Sequence, residues 1–168
     1  MTKYYGKYRG TVLQNVDPEQ MARIQVMVPD VSGLLPSSWA MPCVPIAGKA
    51  SGTFVVPQIG AGVWIEFEQG DPDFPVWTGG FWGSAAEVPA LALAGNPASP
   101  SIVLASGLQN ILAISDLPGP TGGIMLTSTT GAMILVNDIG ITISNGKGAS
   151  IVLTGPTVTI NNGALVVT

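Results

Sequence analysis

The sequence predicts an all-β protein in two parts, a small N-terminal barrel followed by a β-helix that is shared between identical chains. Between residues 9 and 82, five runs of alternating apolar residues are separated by turn residues. From residue 122 to 168, short Val, Ile and Leu runs return every eight or nine residues between Gly, Asn, Thr and Ser. Charge is also uneven, since only Asp116, Asp138 and Lys147 are charged from Val88 onward.

The five N-terminal runs predict the strands of an OB-type barrel, which we place at residues 1–83. They cover residues 9–16, 22–28, 39–46, 62–68 and 75–82. In the fourth run, alternation predicts that Val63, Ile65 and Phe67 point inward. The third run contains prolines, which suit an edge strand. Five short strands in about 75 residues are typical of an OB barrel.

Residues 84–100 predict an extended connector. This segment is rich in Ala and Pro and has neither a strand period nor a helix period.

Residues 101–168 predict the β-helix. The alternations Ile141-Thr142-Ile143 and Val158-Thr159-Ile160 give the strands one apolar face. The repeats from Gly122 to Thr168 comprise about 45 residues, which are too few to bury such a face within one chain. The simplest partner is another copy of the same segment, packed around a symmetry axis.

The composition excludes several classes of chemistry and predicts no catalytic residue, no metal site and no cofactor. The chain has no histidine, so a Ser-His or Cys-His pair is impossible. The single Cys43 lies among apolar residues and is predicted to be buried. Asp71 and Asp73 could act as an acid pair, but Gly70-Asp71-Pro72-Asp73 is strong turn chemistry, and we favour the turn.

The chain ends give expectations for cellular location. No apolar region follows the basic start of the chain, and no apolar run reaches about 18 residues. We therefore expect synthesis in the cytoplasm without a signal peptide or transmembrane segment.

Four stretches resemble the spike proteins of contractile injection machines, which include phage baseplate assembly protein V, the phage central spike and the VgrG spike. They are ARIQVMVP at 22–29, the Trp39, Pro45, Ala47 and Gly48 segment, the long run at 57–83, and ISDLPGPTGGIML at 114–126. The strongest part is residues 60–79, where glycine turns, an alternating strand and the Gly-Asp-Pro-Asp corner follow the family's order.

The resemblance implies an OB domain that sits as a trimer on a baseplate hub, followed by an intertwined three-stranded β-helix. Such a spike joins the hub and tube to a tip protein, pierces a membrane mechanically and belongs to a phage tail-like particle. Polar side chains should then lie outside the prism and glycines at its corners. The polar residues are Thr127, Ser128, Thr142, Ser144, Thr157 and Thr159, and the glycines are Gly131, Gly140, Gly146, Gly155 and Gly163.

Two sets of contact residues follow from this interpretation. Hub or trimer contacts are expected at Tyr4, Tyr5, Tyr8, Trp77 and Trp82. A conical tip protein of the PAAR type, with possible effector cargo, is expected to pair with the blunt end Ala164, Leu165, Val166, Val167 and Thr168. Some relatives carry a histidine motif that binds iron at the tip, and this chain has no such motif.

Two alternatives stay open. A trimeric β-helix fibre could bind or cleave carbohydrate, although Asp138 is the only acidic residue of the repeats. An OB barrel could bind nucleic acid through Lys3, Lys7, Arg9 and the neighbouring tyrosines. The net charge of −4 opposes binding to phosphates, so we expect no nucleic-acid partner.

Overall fold

The computed structural model describes residues 2–168 and divides into two compact units, one that ends at Ala85 and one that starts at Ala86. The elements of the first unit are β1 (Tyr8–Gln14), β2 (Gln25–Met27), α1 (Pro29–Ser32), β3 (Met41–Pro42), β4 (Ala47–Gly48), β5 (Ser51–Gly52), β6 (Gly62–Phe67), a 3-10 turn (Glu68–Gly70) and β7 (Pro75–Phe81).

The first unit is a five-stranded barrel with the strand order β2-β1-β6-β7-β3. Strand β3 runs parallel to β7, and the other pairs are antiparallel. Two backbone hydrogen bonds between Ile24 and Ala40, of 3.2 and 2.7 Å, join the two ends of this sheet. The closure leaves few free edges, as in an OB barrel.

The barrel core is made from side chains on alternate positions of its strands. Val63 and Ile65 are fully buried and Phe67 is nearly so, which confirms the predicted inward set of β6. They pack with Val12, Ile24, Val26, Val28, Ala40 and Trp77. This core lies entirely within the first unit.

The third predicted strand is much shorter than residues 39–46. Only Met41–Pro42 pairs with β7, and the chain then leaves the barrel in a loop that contains the β4–β5 hairpin. Pro42 and Pro45 cannot donate to a sheet ladder, which explains the early end. Cys43 lies just past this strand and is exposed, so its predicted burial is wrong.

The second unit is a β-meander preceded by helical turns. Its elements, with the 3-10 turn that leads into it, are Ala85–Glu87 (3-10), α2 (Ala90–Leu93), β8 (Ile102–Ala105), β9 (Ile111–Ser115), Gly119–Thr121 (3-10), β10 (Gly123–Thr127), β11 (Met133–Asn137), β12 (Gly140–Ser144), β13 (Ser150–Thr154), β14 (Thr157–Ile160), Asn161–Gly163 (3-10) and β15 (Leu165–Val167).

The predicted connector is therefore not extended throughout. Helix α2 contacts β8, and Leu91 lines a cavity of about 290 Å³ together with Ala113, Met125 and Leu135. Because Ala113 is buried, this part of the connector covers one face of the sheet near β9.

The strands β8 to β15 form one sheet in which each strand pairs antiparallel with the next. All six repeat runs from residue 122 onward form strands, and two further strands precede them. In the expected intertwined β-helix the neighbours of a strand belong to other chains, and that arrangement stays a prediction. Each strand finds its partner through a short turn of its own chain.

Candidate assembly interface

One face of the meander consists entirely of aliphatic side chains. The register places two of them on each of the eight strands, which makes sixteen. They are Ile102, Leu104, Leu112, Ile114, Ile124, Leu126, Ile134, Val136, Ile141, Ile143, Ile151, Leu153, Val158, Ile160, Leu165 and Val167. We call this set the aliphatic face.

The aliphatic face is the more exposed side of the sheet. Ile102 retains 64% of its accessible surface and Ile143 retains 42%. On the other side, Thr142 and Ser144 are partly buried. A soluble antiparallel sheet normally turns its apolar side to a core, so this arrangement lacks a cover within the chain.

The polar residues predicted to lie outside a prism occupy the opposite face. Thr142 pairs with Leu135 and Val152, one position away from the aliphatic column through Ile143. Thr127, Ser144, Thr157 and Thr159 lie on the same side by register, and Ser128 lies in the following turn. The five predicted corner glycines lie in turns or next to them and have positive φ.

The last strand of the chain forms one edge of the sheet. Among the described residues, β15 pairs with β14 alone. Leu165, Val166 and Val167 are each about half exposed, and Ala164 and Thr168 are also exposed. This edge presents free backbone groups that another strand could pair with.

The N-terminal tyrosines do not form one surface. Tyr4 and Tyr8 pack on each other and on Phe67, with ring centroids 5.6–6.1 Å apart. The backbone N–H of Tyr4 donates to the carbonyl of Gly70 at 2.9 Å. Tyr5 is 71% exposed and is the tyrosine with most surface to offer a partner.

The basic residues near the N-terminus are held by neighbours in the barrel. Lys3 lies 3.7 Å from Asp71, and Lys7 lies 3.0 Å from Glu66. The Arg9 guanidinium lies 5.5 Å from the Trp64 ring and 5.1 Å from the Phe81 ring. Asp71 and Glu66 offset the positive charge of Lys3 and Lys7, which binding to a phosphate backbone would need.

The two units match two family models. Residues 8–82 match the type VI secretion system/phage-baseplate injector OB domain. Residues 101–166 match the phage baseplate V C-terminal trimerisation domain. The chain belongs to the phage baseplate V family. A comparison with curated proteins found no match.

Membership of the baseplate V family makes the chain a component of a phage or type VI baseplate, and both matched families are structural rather than enzymatic. The name of the second family also explains why an aliphatic face is open in one chain, because a trimerisation domain provides a cover from other chains. No helix of residues 2–168 has the length and apolarity to cross a membrane.

Of the two tryptophans that were expected at contacts in this baseplate V protein, one is unsuitable. Trp77 is 6% exposed and packs in the barrel core, where its Nε1–H donates to the carbonyl of Ala22 at 3.0 Å. The ring of Trp77 points from β7 into the core and offers no surface to another protein. The expected contact at Trp77 is therefore wrong. Trp82, just past β7, is 63% exposed.

The Gly70–Asp73 segment is organised as a turn. The Asp71 side chain accepts the backbone N–H of Asp73 at 3.1 Å, and the Asp71 carbonyl accepts the N–H of Phe74 at 3.0 Å. Gly70 has φ +75°, and a Cβ there would lie 3.0 Å from the Tyr5 ring. In residues 2–168, no three Asp, Glu, Cys or His side chains are grouped as a metal site would require.

A buried ion pair between Asp17 and Arg23 was not predicted from the sequence. Asp17 accepts the backbone N–H groups of Glu19, Met21 and Arg23, and Arg23 donates to it at 2.7 Å. The hydrogen bond from Arg23 holds the pKa of Asp17 well below its usual range, and the backbone donors add to this effect. An Asp that precedes a turn proline, with an Arg six residues later, was the available signal.

The barrel also exposes apolar side chains that were not predicted from the sequence. Ile46, Phe54 and Val55 lie in the loop around the β4–β5 hairpin and are each more than half exposed. Leu34 and Leu35 follow α1 and are equally exposed. The barrel therefore has apolar surface outside its core.

Proposed function

We propose that this baseplate V protein is the homotrimeric central spike of a contractile injection machine or phage-like baseplate. In this proposal residues 1–83 form the barrel part, residues 84–100 the connector and residues 101–168 the spike. The observation that carries it is the aliphatic face, since sixteen Ile, Leu and Val side chains occupy one side of the sheet without a single polar residue.

The size of the face supports burial by other chains. Monomeric proteins rarely expose apolar patches above about 600 Å². Twelve of the sixteen aliphatic side chains are at least about a third exposed. Together the face presents on the order of 1,000 Å², which also exceeds the roughly 800 Å² per partner of a standard interface. Covering them stabilises an assembly strongly, at about 25 cal/mol per Å².

Strand length favours three chains. A five-residue strand such as β12 is about 17 Å long. The centre of a triangle with that side lies about 5 Å from each side, which is half of the roughly 10 Å spacing of packed sheets. Three faces therefore let Ile and Leu side chains meet at the axis, whereas a square of the same strands leaves an open channel.

The proposed activity is mechanical. Eight strands at about 4.8 Å make a prism roughly 38 Å tall. Bending or breaking it requires several strand pairs and the common apolar core to fail together. The work then comes from sheath contraction and is transmitted through the spike to a small area of the target membrane.

The exposed residues of the barrel and of β15 indicate where the hub and the tip protein would bind. Of the aromatic residues that were expected at contacts, Tyr5 and Trp82 have the exposed surface through which the barrel part could bind the hub. At β15, three copies of the segment 164–168 place free strand edges together, which fits a conical PAAR-type tip protein that pairs with the backbone and could carry an effector.

The native mass of the full chain tests the proposal. We expect about 52 kDa, three times the 17.2 kDa of one chain. Ile143→Asp should reduce this to the mass of one chain, because it places a charge on the aliphatic face. The matched control Thr142→Asp changes the adjacent residue on the opposite face and should stay trimeric. A monomeric native protein, or equal loss in both variants, contradicts the proposal.

A further inference from the structure

We infer that Asn162 is a site of spontaneous deamidation, at which the side-chain amide becomes a carboxylate in the native protein. The chain contains two Asn-Gly pairs, Asn145-Gly146 and Asn162-Gly163. Glycine has no side chain to hinder its backbone nitrogen, so in such a pair this nitrogen can attack the preceding asparagine side chain most readily. The two pairs have different surroundings, and these surroundings select Asn162.

The reacting groups of the first pair are held by hydrogen bonds within their own turn. The Asn145 side-chain oxygen accepts the backbone N–H groups of Lys147 and Ala149 at 2.8 and 3.1 Å. The N–H of Gly146, which carries the attacking nitrogen, donates to the Ser144 hydroxyl at 3.1 Å. Deamidation at Asn145 therefore has to break these bonds first.

The first pair is also closely packed. A Cβ placed on Gly146 would lie 2.7 Å from the carbonyl carbon of Gly131 and 2.8 Å from the carbonyl oxygen of Thr130. The backbone at Gly146 is thus in contact with the β10–β11 turn. This contact limits the rotation that would bring the Gly146 nitrogen to the Asn145 side chain.

The second pair has no such constraints. Asn162 lies in the exposed 3-10 turn Asn161–Gly163, and its side chain has no hydrogen-bond partner among residues 2–168. The neighbouring Asn161 side chain differs, because it accepts the N–H of Ser150 at 3.0 Å. A Cβ placed on Gly163 would meet no atom within 4 Å. Neither the Asn162 amide nor the backbone of Gly163 is therefore fixed by packing.

The turn has to open briefly before the reaction. Asn162 has φ 55° and ψ 32°, so the Gly163 nitrogen points away from the Asn162 side chain and must rotate toward it. The strand that follows, β15, has only three residues and pairs with β14 alone in the described chain. Short segments at a chain end open locally at low free-energy cost. Asn162 thus has access to the reactive conformation.

The reaction needs only water. The Gly163 nitrogen attacks the Asn162 Cγ and loses its proton to solvent, and the side-chain nitrogen leaves as ammonia, which closes a cyclic imide. Water then opens the imide at either carbonyl and gives aspartate or isoaspartate. In total one water is consumed and one ammonia released, without oxidation or reduction. Each chain gains one negative charge directly before β15, and isoaspartate also inserts an extra carbon into the backbone there.

Ageing of the full-length protein in mildly alkaline buffer tests the inference, because base promotes attack by the glycine nitrogen. Trypsin cleaves after Lys147 and releases residues 148–168 as one peptide, in which fragment ions distinguish Asn162 from Asn161. A chymotrypsin digest reports Asn145. We expect Asn162 to convert at least about tenfold faster than Asn145, since only the latter must first lose several hydrogen bonds.

Two controls accompany this measurement. Asn162→Gln should abolish the conversion at this position, because the longer side chain forms the cyclic imide far more slowly. Glutamine also suits the backbone, since Gln20 and Gln69 have φ 56° and 51° in this chain. In denaturant, Asn145 and Asn162 should convert at similar rates. Equal rates in the native protein, a faster reaction at Asn145, or conversion of Asn162 only in denaturant would overturn the inference.

Discussion

The two units of this protein bury their apolar residues in different ways. The barrel closes its sheet through the Ile24–Ala40 bonds and buries Val63 and Ile65 inside its own chain. The meander has a longer and more regular apolar pattern, yet its aliphatic face stays open. The strength of an apolar pattern therefore does not tell whether the core lies within a chain or between chains.

The largest expected difference concerns core truncation in the two units. Ile65→Ala should lower the free energy of unfolding of the barrel by about 3 kcal/mol, independently of protein concentration. Ile143→Ala should cost about three times as much per trimer, because three side chains leave one axis. Denaturation at two protein concentrations distinguishes the two units. The midpoint of sheet unfolding should change with protein concentration, whereas the midpoint of barrel unfolding should not. The proposed division of cores would be contradicted if the unfolding midpoint depended on protein concentration for Ile65→Ala and not for Ile143→Ala.

Two of the four barrel tryptophans, Trp77 and Trp82, should respond differently to truncation. Trp77→Ala should destabilise the barrel by about 3–5 kcal/mol, because it leaves a cavity and an unpaired Ala22 carbonyl. Trp82→Ala should change stability by less than about 0.5 kcal/mol. If Trp82 binds the hub, the Trp82→Ala protein should be incorporated poorly into baseplates, although its stability is unchanged. Normal incorporation would remove Trp82 from the proposed contacts.

Acid should affect the barrel more than the sheet. Because the pKa of Asp17 is lowered in the folded state, its contribution is complete above its usual pKa of about 4 and is lost as the pH falls below it. All four tryptophans lie in the barrel, so their fluorescence reports that unit. We expect its melting temperature to fall below about pH 4, and this fall should be smaller in Asp17→Asn. An equal fall in both proteins would assign the effect to other groups.

The smallest expected effect concerns the surface of the barrel. Lys7 and Glu66 form an exposed ion pair, which contributes at most about 1 kcal/mol and is weakened by salt. Lys7→Ala should therefore leave the melting temperature nearly unchanged at high salt. Thr142→Ala, on the polar side of the sheet, is a matched change in the other unit. A large loss of stability in either variant would show that these surfaces are buried in the assembly.

Prediction from sequence worked where local periodicity decided the structure. The inward set of β6 and the six repeat strands followed from alternation with a period of two residues. It was wrong for Cys43 and Trp77, because apolar neighbours say nothing about where a strand stops or which way an end residue points. It did not find the Asp17–Arg23 pair, since hydrogen bonds to three backbone groups depend on the folded turn.

The sequence by itself determined the all-β class, the apolar side of the repeats and the need of that side for a partner, because these depend on residue type and spacing. Only the tertiary structure decided which strands pair. It made β3 the parallel neighbour of β7 and joined the repeats into one meander. Strand pairing depends on backbone hydrogen bonds between segments, and these bonds are the same for every residue type. Composition therefore cannot choose among the possible pairings, whereas turn length and barrel closure can.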